Sequence, residues 1–599
     1  MRIFGLLIVF GILLATAVIA GEGKTTLLAT SDPFEGGITA SLSLETKPGT
    51  GKIFIESSPL TKVDTQISTR FAKEVACNYL GQSCDDLDFF YTIKARATII
   101  GGPSAGAAMA ALTIAVLEGA EFNESVAITG TINSGNIVGV VGGVSEKIEA
   151  AGNAGITKVL IPKGEQSSFA RNASVDVIAL GKDNGVEVVE VFSLDEVMLE
   201  FTGKTFAPPE EDIEIDSRYS TVMKQLASNL CQRTDKLASS ISQFADSEDY
   251  NESYEGATQI AQNLSIQGSE ARKENSNYAA ASFCFGANVR YKYLELSAMN
   301  PDGDKILEGL NDIEEQVTNF EADIQNITTV SDAQILAVVL DRIMEARNHI
   351  NASRTVLALD DKDRSVFELA FSIERLESAK SWSRFFGEMP ELEVSTESLK
   401  NACLQKIGEA EERVEYSAIL IRSASDSSRT RLGQAQQFLD DENYVQCLHR
   451  ATIAKAEASI LLSVVGVREE EIDGIVERKL DAAKTIIARQ SNKEIFPVVG
   501  YSYYEYANSL QGDDRFSALL FSEYALEFSN LDIYFKSERK PEEVSSEPEK
   551  ADIDILLRYI IGLLIIVGIL SFVAGRKSRK RKRILINRPK KVVKRRKRA

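Results

Sequence analysis

The chain has 599 residues, with 67 Lys and Arg against 87 Asp and Glu, a net charge of −20, 44% hydrophobic residues, six cysteines and two histidines. Such a length exceeds one core, so two or more domains are expected, and the acidic balance argues against a nucleic-acid substrate. No C-x-x-C pair and no His/Cys ligand spacing occurs, so neither a metal nor a cofactor is expected. At the N-terminus Arg2 precedes an uncharged run from Ile3 to Ala20 that ends Ala17-Val18-Ile19-Ala20. Residues 1–20 read as a secretory signal peptide, or as an uncleaved anchor of nearly spanning length, and the region after them as exported.

Residues 27–203 alternate strand and helix patterns. Ile38, Ala40, Leu42 and Leu44 alternate with polar residues, and Pro48-Gly49-Thr50-Gly51 turns into Ile53-Phe54-Ile55, which predicts a hairpin. Ile67, Phe71, Val75 and Tyr79 recur every four residues and predict a helix with one buried face. The run from Ala95 to Ile100 predicts a strand. Further strands are expected at Val126–Thr129, Ile137–Val141, Lys158–Ile161, Val175–Ala179 and Val186–Val191. Helices are expected at Ser104–Leu117 and Val144–Ala151, and at Leu194–Phe201 behind a Ser193 cap.

Within this region Gly101-Gly102-Pro103-Ser104-Ala105-Gly106 places Ser104 at the start of a helix. There, free backbone N–H groups and the positive dipole end favour a developing oxyanion. A serine nucleophile also needs a base. His349 and His449 lie far downstream, but Lys147 follows the Gly142-Gly143 turn with apolar neighbours Val144, Ile148 and Ala151. A lysine serves as a base when burial lowers its pKa.

Four segments, Gly-Pro-Ser-Ala-Gly, Ile128-Thr129-Gly130, Gly142 to Lys147, and Gly155 to Pro162, resemble in order and spacing the proteolytic domain of Lon proteases. The resemblance covers roughly residues 27–201. It implies Ser104 as nucleophile, Lys147 as general base, and Thr129 as a residue that holds the lysine, with Gly102 and Pro103 shaping the nucleophile turn. Two positions depart from the family pattern: Gly101 and Thr131 stand where many members carry an acid. Gly101 is expected to remove a negative charge that would oppose a low lysine pKa. Lon normally couples this domain to an ATPase, but no G-x-x-x-x-G-K-[ST] phosphate loop is present.

An acidic linker, residues 204–216, contains Pro208 and Pro209. From 217 to 535 apolar positions recur at three and four, as in Tyr444, Cys447, Leu448, Ala451, Ala454, Ala458 and Leu461, which predicts helical hairpins in a bundle or solenoid. The pairs Ala451/Ala458 and Ala518/Ala525 resemble tetratricopeptide repeats, but the period is not sustained. The cluster Tyr501, Tyr503, Tyr504 and Tyr506 reads either as inter-helix packing or as a peptide groove. A second acidic linker, 536–552, precedes the apolar stretch 555–574, which predicts a transmembrane helix. The tail 575–599 holds fifteen lysines and arginines and no acid, and predicts a cytoplasmic stop-transfer segment that touches anionic lipid. Without that tail the rest carries about −35. Six sequons, from Asn123 to Asn351, suit an exported surface. Cys77 and Cys84 flank a helix end and are candidates for a disulfide; the other four are expected as buried helix residues, with pairing between helices open.

The fold expected is thus an α+β Lon-type protease domain, then an all-α bundle or solenoid, then a C-terminal transmembrane helix. The function expected is an ATP-independent, Lon-like serine endopeptidase of archaeal type, in the cell membrane as a single-pass protein with an extracellular ectodomain and a cytoplasmic tail. It would act on unfolded protein or peptide substrates, with the membrane as a partner and no nucleic acid. The resemblance adds homo-oligomeric rings, and the helical domain offers a surface for a partner. The alternative is a catalytically silent scaffold that works through that helical domain.

Overall fold

A computed structural model of the chain describes residues 21–30, 36–165, 167–170, 173–207, 212–241, 248–324, 327, 329–388, 393–421, 426–464, 467–491 and 496–535. Strands β1 (Glu22–Thr30), β2 (Gly37–Pro48) and β3 (Ile53–Thr61) are followed by helix α1 (Val63–Tyr79) and strand β4 (Leu87–Ile100). A short 3₁₀ turn, Pro103–Ala105, leads into α2 (Gly106–Leu117), and then come β5 (Val126–Ile128), β6 (Thr131–Ile132) and β7 (Val138–Gly139). Helix α3 (Val144–Asn153), strands β8 (Lys158–Pro162), β9 (Ser167–Ala170) and β10 (Ala173–Asp176), helix α4 (Val177–Asp183), strand β11 (Glu187–Val191) and helix α5 (Leu194–Thr202) complete the mixed region.

Alternation along β2 points Ala40, Leu42 and Leu44 inward and the residues between them outward. The main sheet runs β11-β8-β5-β1-β2-β4-β3, parallel from β1 to β11 and antiparallel where β2 meets β1 and β4. The expected hairpin between residues 38 and 55 does not form, because β4 lies between its two arms and pairs with β3 in parallel. The turn survives for a local reason: Asp88 Oδ1 accepts from Thr50 N at 2.8 Å and Lys52 N at 2.9 Å, which lets β3 step past β4. The strand expected at Val175–Ala179 is also corrected. Asp176 caps a helix there by accepting from the N–H groups of Ile178 and Ala179 at 3.0 Å, and the chain turns into α4.

Helix α2 is small-sided and apolar around its whole circumference, and it is buried from Gly106 to Val116 between the sheet, α1 and α5. Its short alanines let neighbouring backbones approach, so the helix holds the turn that carries Ser104 against the sheet.

The helical region contains α6 (Ser217–Ile241), α7 (Glu248–Lys273), α8 (Asn277–Ala298), α9 (Gly303–Ala322), α10 (Val330–Ala358), α11 (Lys362–Trp382), α12 (Thr396–Leu420), α13 (Asp426–Asp440), α14 (Tyr444–Ser463), α15 (Ile472–Ser491), α16 (Val498–Leu510) and α17 (Arg515–Ser529). Sequential helices pack in pairs around one continuous apolar core. Tyr501, Tyr503 and Tyr506 belong to that core; Tyr501 packs edge-on to Tyr219, and Tyr503 against Phe521 and Phe528. All six cysteines pair: Cys77–Cys84, Cys231–Cys284 and Cys403–Cys447. The last four are therefore both buried and cross-linked between neighbouring helices.

The mixed and helical regions form one compact unit up to Phe535. Ile137 packs with Ala483, Ile486, Ala525 and Leu526. Lys455 of α14 sits 4.0 Å over the Phe71 ring of α1, and Asn78 bonds Asn530 at 3.0 Å.

No helix among the described residues is long and apolar enough to cross a membrane. This corrects the expected transmembrane helix and the single-pass membrane location with an extracellular ectodomain and a cytoplasmic tail. The reason is visible in the longest helix: α10 has 29 residues but carries Asp332, Asp341, Arg342, Glu345 and Arg347, charges a bilayer interior does not tolerate. The segments behind those expectations, 1–20, 536–552, 555–574 and 575–599, lie outside the described residues.

Candidate active site

Ser104 reaches its position because β4 ends at Ile100 and the chain reverses through two glycines. Gly102 has φ of +101°, a conformation an L side chain rarely adopts, and its N–H donates to Asp64 Oδ2 at 2.9 Å. Pro103 opens the 3₁₀ turn, and Ser104 sits in it, at the positive end of α2. Two backbone bonds then tie this turn to the next segment: Gly130 N donates to Ser104 O at 2.9 Å, and Ala107 N donates to Gly130 O at 3.1 Å. A side chain at position 130 would lie 2.5 Å from Val138, so glycine is required for this approach.

Lys147 arrives from the opposite side. Gly143, at φ +66°, ends the Gly142-Gly143 turn and serves as the N-cap position of α3; Lys147 N donates to its carbonyl at 3.1 Å. The side chain is 3% exposed and its Nζ donates to Thr129 Oγ1 at 3.0 Å. Thr129, wholly buried, precedes the Gly130 that grips the serine turn. The dipeptide Thr129-Gly130 therefore holds both candidate residues, the lysine by a side chain and the serine by the backbone.

Burial lowers the Lys147 pKa from 10.5 to about 8, opposed by the negative charges of Glu165 and Glu146. The sequence expectation was that Gly101 removes one negative charge that would oppose a low lysine pKa. Glu165 instead supplies one: it follows β8, accepts from Val141 N at 3.3 Å, and is itself pushed up to about 7 by burial. A group that is half-protonated near neutrality opposes the lysine only weakly there. At Gly101 a Cβ would lie 2.5 Å from the stem of the exposed Lys62, a side chain free to move aside, so space alone does not explain the glycine.

Two more contacts come from the helical region. Tyr416 Oη accepts from Gly142 N at 2.8 Å, which secures the turn before Lys147. Arg413, 2% exposed, donates from Nη1 to Thr131 Oγ1 at 3.1 Å and from Nη2 to Ile132 O at 3.5 Å. Thr131, at the second departure from the family pattern, is thus the acceptor for a buried arginine of α12. No signal in the sequence marked Tyr416 or Arg413, because both occupy ordinary positions of a helical pattern about 280 residues downstream. Glu165 was legible only as a charge after the Ile161-Pro162 strand end.

Part of the mixed region is similar to known proteins. Residues 50–200 match the family described as Lon protease (S16) C-terminal proteolytic domain. The chain is 29% identical over 167 residues to a Lon protease of Lachnoclostridium phytofermentans, covering 27% of this chain and 20% of that protein. It is 33% identical over 120 residues to an archaeal Lon protease of Archaeoglobus fulgidus, 20% of this chain and 18% of the relative. For a Lon protease of Azorhizobium caulinodans the identity is 37% over 111 residues, 18% and 12% of the two chains. The chain spans about a fifth or less of the length of these curated relatives. The similarity supports a Lon-like serine-protease region and leaves the helical region outside it.

Proposed function

We propose, from a Lon-like proteolytic region joined rigidly to a helical one, that the protein is a serine endopeptidase using Ser104 and Lys147 and acting on unfolded protein or peptide chains without nucleotide. The single observation that carries this reading is the buried Lys147, hydrogen-bonded to a neutral threonine and shifted to a pKa of about 8. Roughly a tenth of such a lysine is a free base at pH 7, against roughly one in three thousand for an amine at 10.5. Other buried lysines here are ion-paired, Lys406 with Glu527 and Lys455 with Glu409, whereas Lys147 has no ion pair among the described residues, and isolation from a fully charged partner is what a general base requires.

Neutral Lys147 takes the Ser104 proton as Oγ attacks the substrate carbonyl. Backbone N–H groups at the start of α2 stabilise the oxyanion, and the lysinium returns its proton to the leaving amine. Water, activated by the same lysine, then hydrolyses the acyl-enzyme. Thr129 keeps the amine aimed, while Gly102 and Pro103 shape the turn that presents Ser104. Nothing in this cycle needs a nucleotide, and the 599 residues contain no phosphate loop. Assembly into homo-oligomeric rings, as the family resemblance implies, is part of the same proposal.

The test is incubation of an unfolded protein with the purified chain, followed by mass spectrometry of the products, beside Ser104→Ala. New termini that appear with the parent chain and disappear with Ser104→Ala are expected. Identical product patterns from both would refute the assignment.

A further inference from the structure

Between the β6–β7 hairpin, the end of β8 and helices α14 and α15 lies a cleft of about 640 Å³, the size of a peptide or small-ligand site. One wall runs from Ile137 to Val140, the stretch that leads through Gly142 and Gly143 into Lys147. An occupant of the cleft would therefore lie along the segment that carries the candidate base.

The charges around this cleft do not balance locally. Lys163 pairs with Glu190 at 3.1 Å, Arg468 with Glu470 and Glu471 at 3.1 and 2.8 Å, and Lys479 with Glu523. Arg413 and Arg478 remain. Arg413 reaches only the neutral oxygens of Thr131 and Ile132, and the Arg478 guanidinium lies 4.8 Å over the Phe192 ring. Among the described residues neither forms an ion pair, and the Nε of each is without a hydrogen-bond partner. Glu412, adjacent to Arg413, forms no ion pair with it among the described residues; burial raises the Glu412 pKa, and the Arg413 charge opposes that shift. Two further atoms of the lining residues, Ser459 Oγ and Asn133 Oδ1, are also buried without partners.

Burying the Arg413 guanidinium without an ion pair is costly, and the half-buried Arg478 beside it offers a planar fork that matches a carboxylate. We infer that this cleft receives a carboxylate-bearing segment of the peptide substrate, through Arg413 and Arg478, and gives the peptidase a preference for acidic chains. A small molecule bearing a carboxylate would satisfy the charges equally. The length of the cleft along 137–140 and its continuity with the Lys147 turn favour an extended peptide. The inference rests on the peptidase reading. The fifteen lysines and arginines of residues 575–599 also attract acidic peptides, so the substitution within the cleft, and not net charge, is what localises the preference.

The test uses the full chain with Ser104→Ala, so that binding is read without turnover. Fluorescence anisotropy follows three labelled peptides: one with internal glutamates and an amidated C-terminus, one with glutamines and a free C-terminal carboxylate, and one with glutamines and an amide. At least one carboxylate peptide is expected to bind about tenfold tighter than the neutral one, as charge-assisted hydrogen bonds do. The first two peptides tell side-chain from terminal recognition. Adding Arg478→Gln, at a half-buried position, should reduce that preference to about threefold or less. Equal affinities for all three peptides would overturn the inference, and the comparison needs no second folded variant. A preference that survives Arg478→Gln would overturn it as well. The two readings separate cleanly. Cleavage by the parent chain with no acid preference removes the cleft assignment alone, whereas acid-selective binding with no cleavage removes the peptidase reading and leaves a peptide-binding cleft.

Discussion

Replacing Lys147 with methionine should make the protein inactive and, near neutral pH, more stable. The amine is 3% exposed, and burial brings its pKa from 10.5 to about 8. In the unfolded chain it regains the ordinary value, so between about pH 8 and 10.5 the unfolded state binds more protons than the folded state. Stability therefore rises with pH across that window. Below pH 8 the full penalty is present, and the gap between the two values corresponds to roughly 3 kcal/mol. Methionine fills the volume of the lysine stem without the charge, but Thr129 Oγ1 loses its donor, which offsets about 1 kcal/mol. The net expectation is a gain of about 2 kcal/mol at about pH 6.5, shrinking through the window and absent or slightly reversed at about pH 10.5. Urea unfolding of the full chain, followed by circular dichroism at several pH values, measures it. A variant no more stable than the parent at about pH 6.5, or a gain independent of pH, would refute the idea that desolvation sets the lysine's state.

Activity of the parent should follow the same group. kcat/KM is expected to rise about tenfold per pH unit below pH 8 and to level off above about pH 9; a rate still climbing beyond about pH 9.5 would show a lysine of ordinary basicity. Tyr416→Phe removes the acceptor for Gly142 N and should lower stability by about 1–2 kcal/mol. Because the lost bond positions the Lys147 turn, kcat for a short fluorogenic peptide should fall several-fold with KM unchanged. A loss confined to stability would make Tyr416 a packing residue only.

What the sequence determined by itself was local. A strand ending in Gly101-Gly102-Pro103 must turn, and the apolar run behind it must be a buried helix, so Ser104 at the head of α2 was legible. The same holds for Lys147 after its glycine turn, for α1 from Ile67, Phe71, Val75 and Tyr79, and for the Ser193 cap of α5. These features depend on φ/ψ preferences and periodicities that act within a few residues. Tertiary structure decided which distant segments became neighbours. Nothing within residues 38–55 says that β4 will enter between β2 and β3, because a strand's partner is chosen by the sheet as a whole. Nor does a run such as Val175–Ala179 reveal that Asp176 will cap a helix rather than continue a strand. The environment of the two candidate residues belongs to the same class. Tyr416 meets Gly142 across 274 residues and Arg413 meets Thr131 across 282. Such contacts follow from how α12 packs on the proteolytic region, since burial and the charges it encloses are properties of the assembled core and of no single stretch of chain.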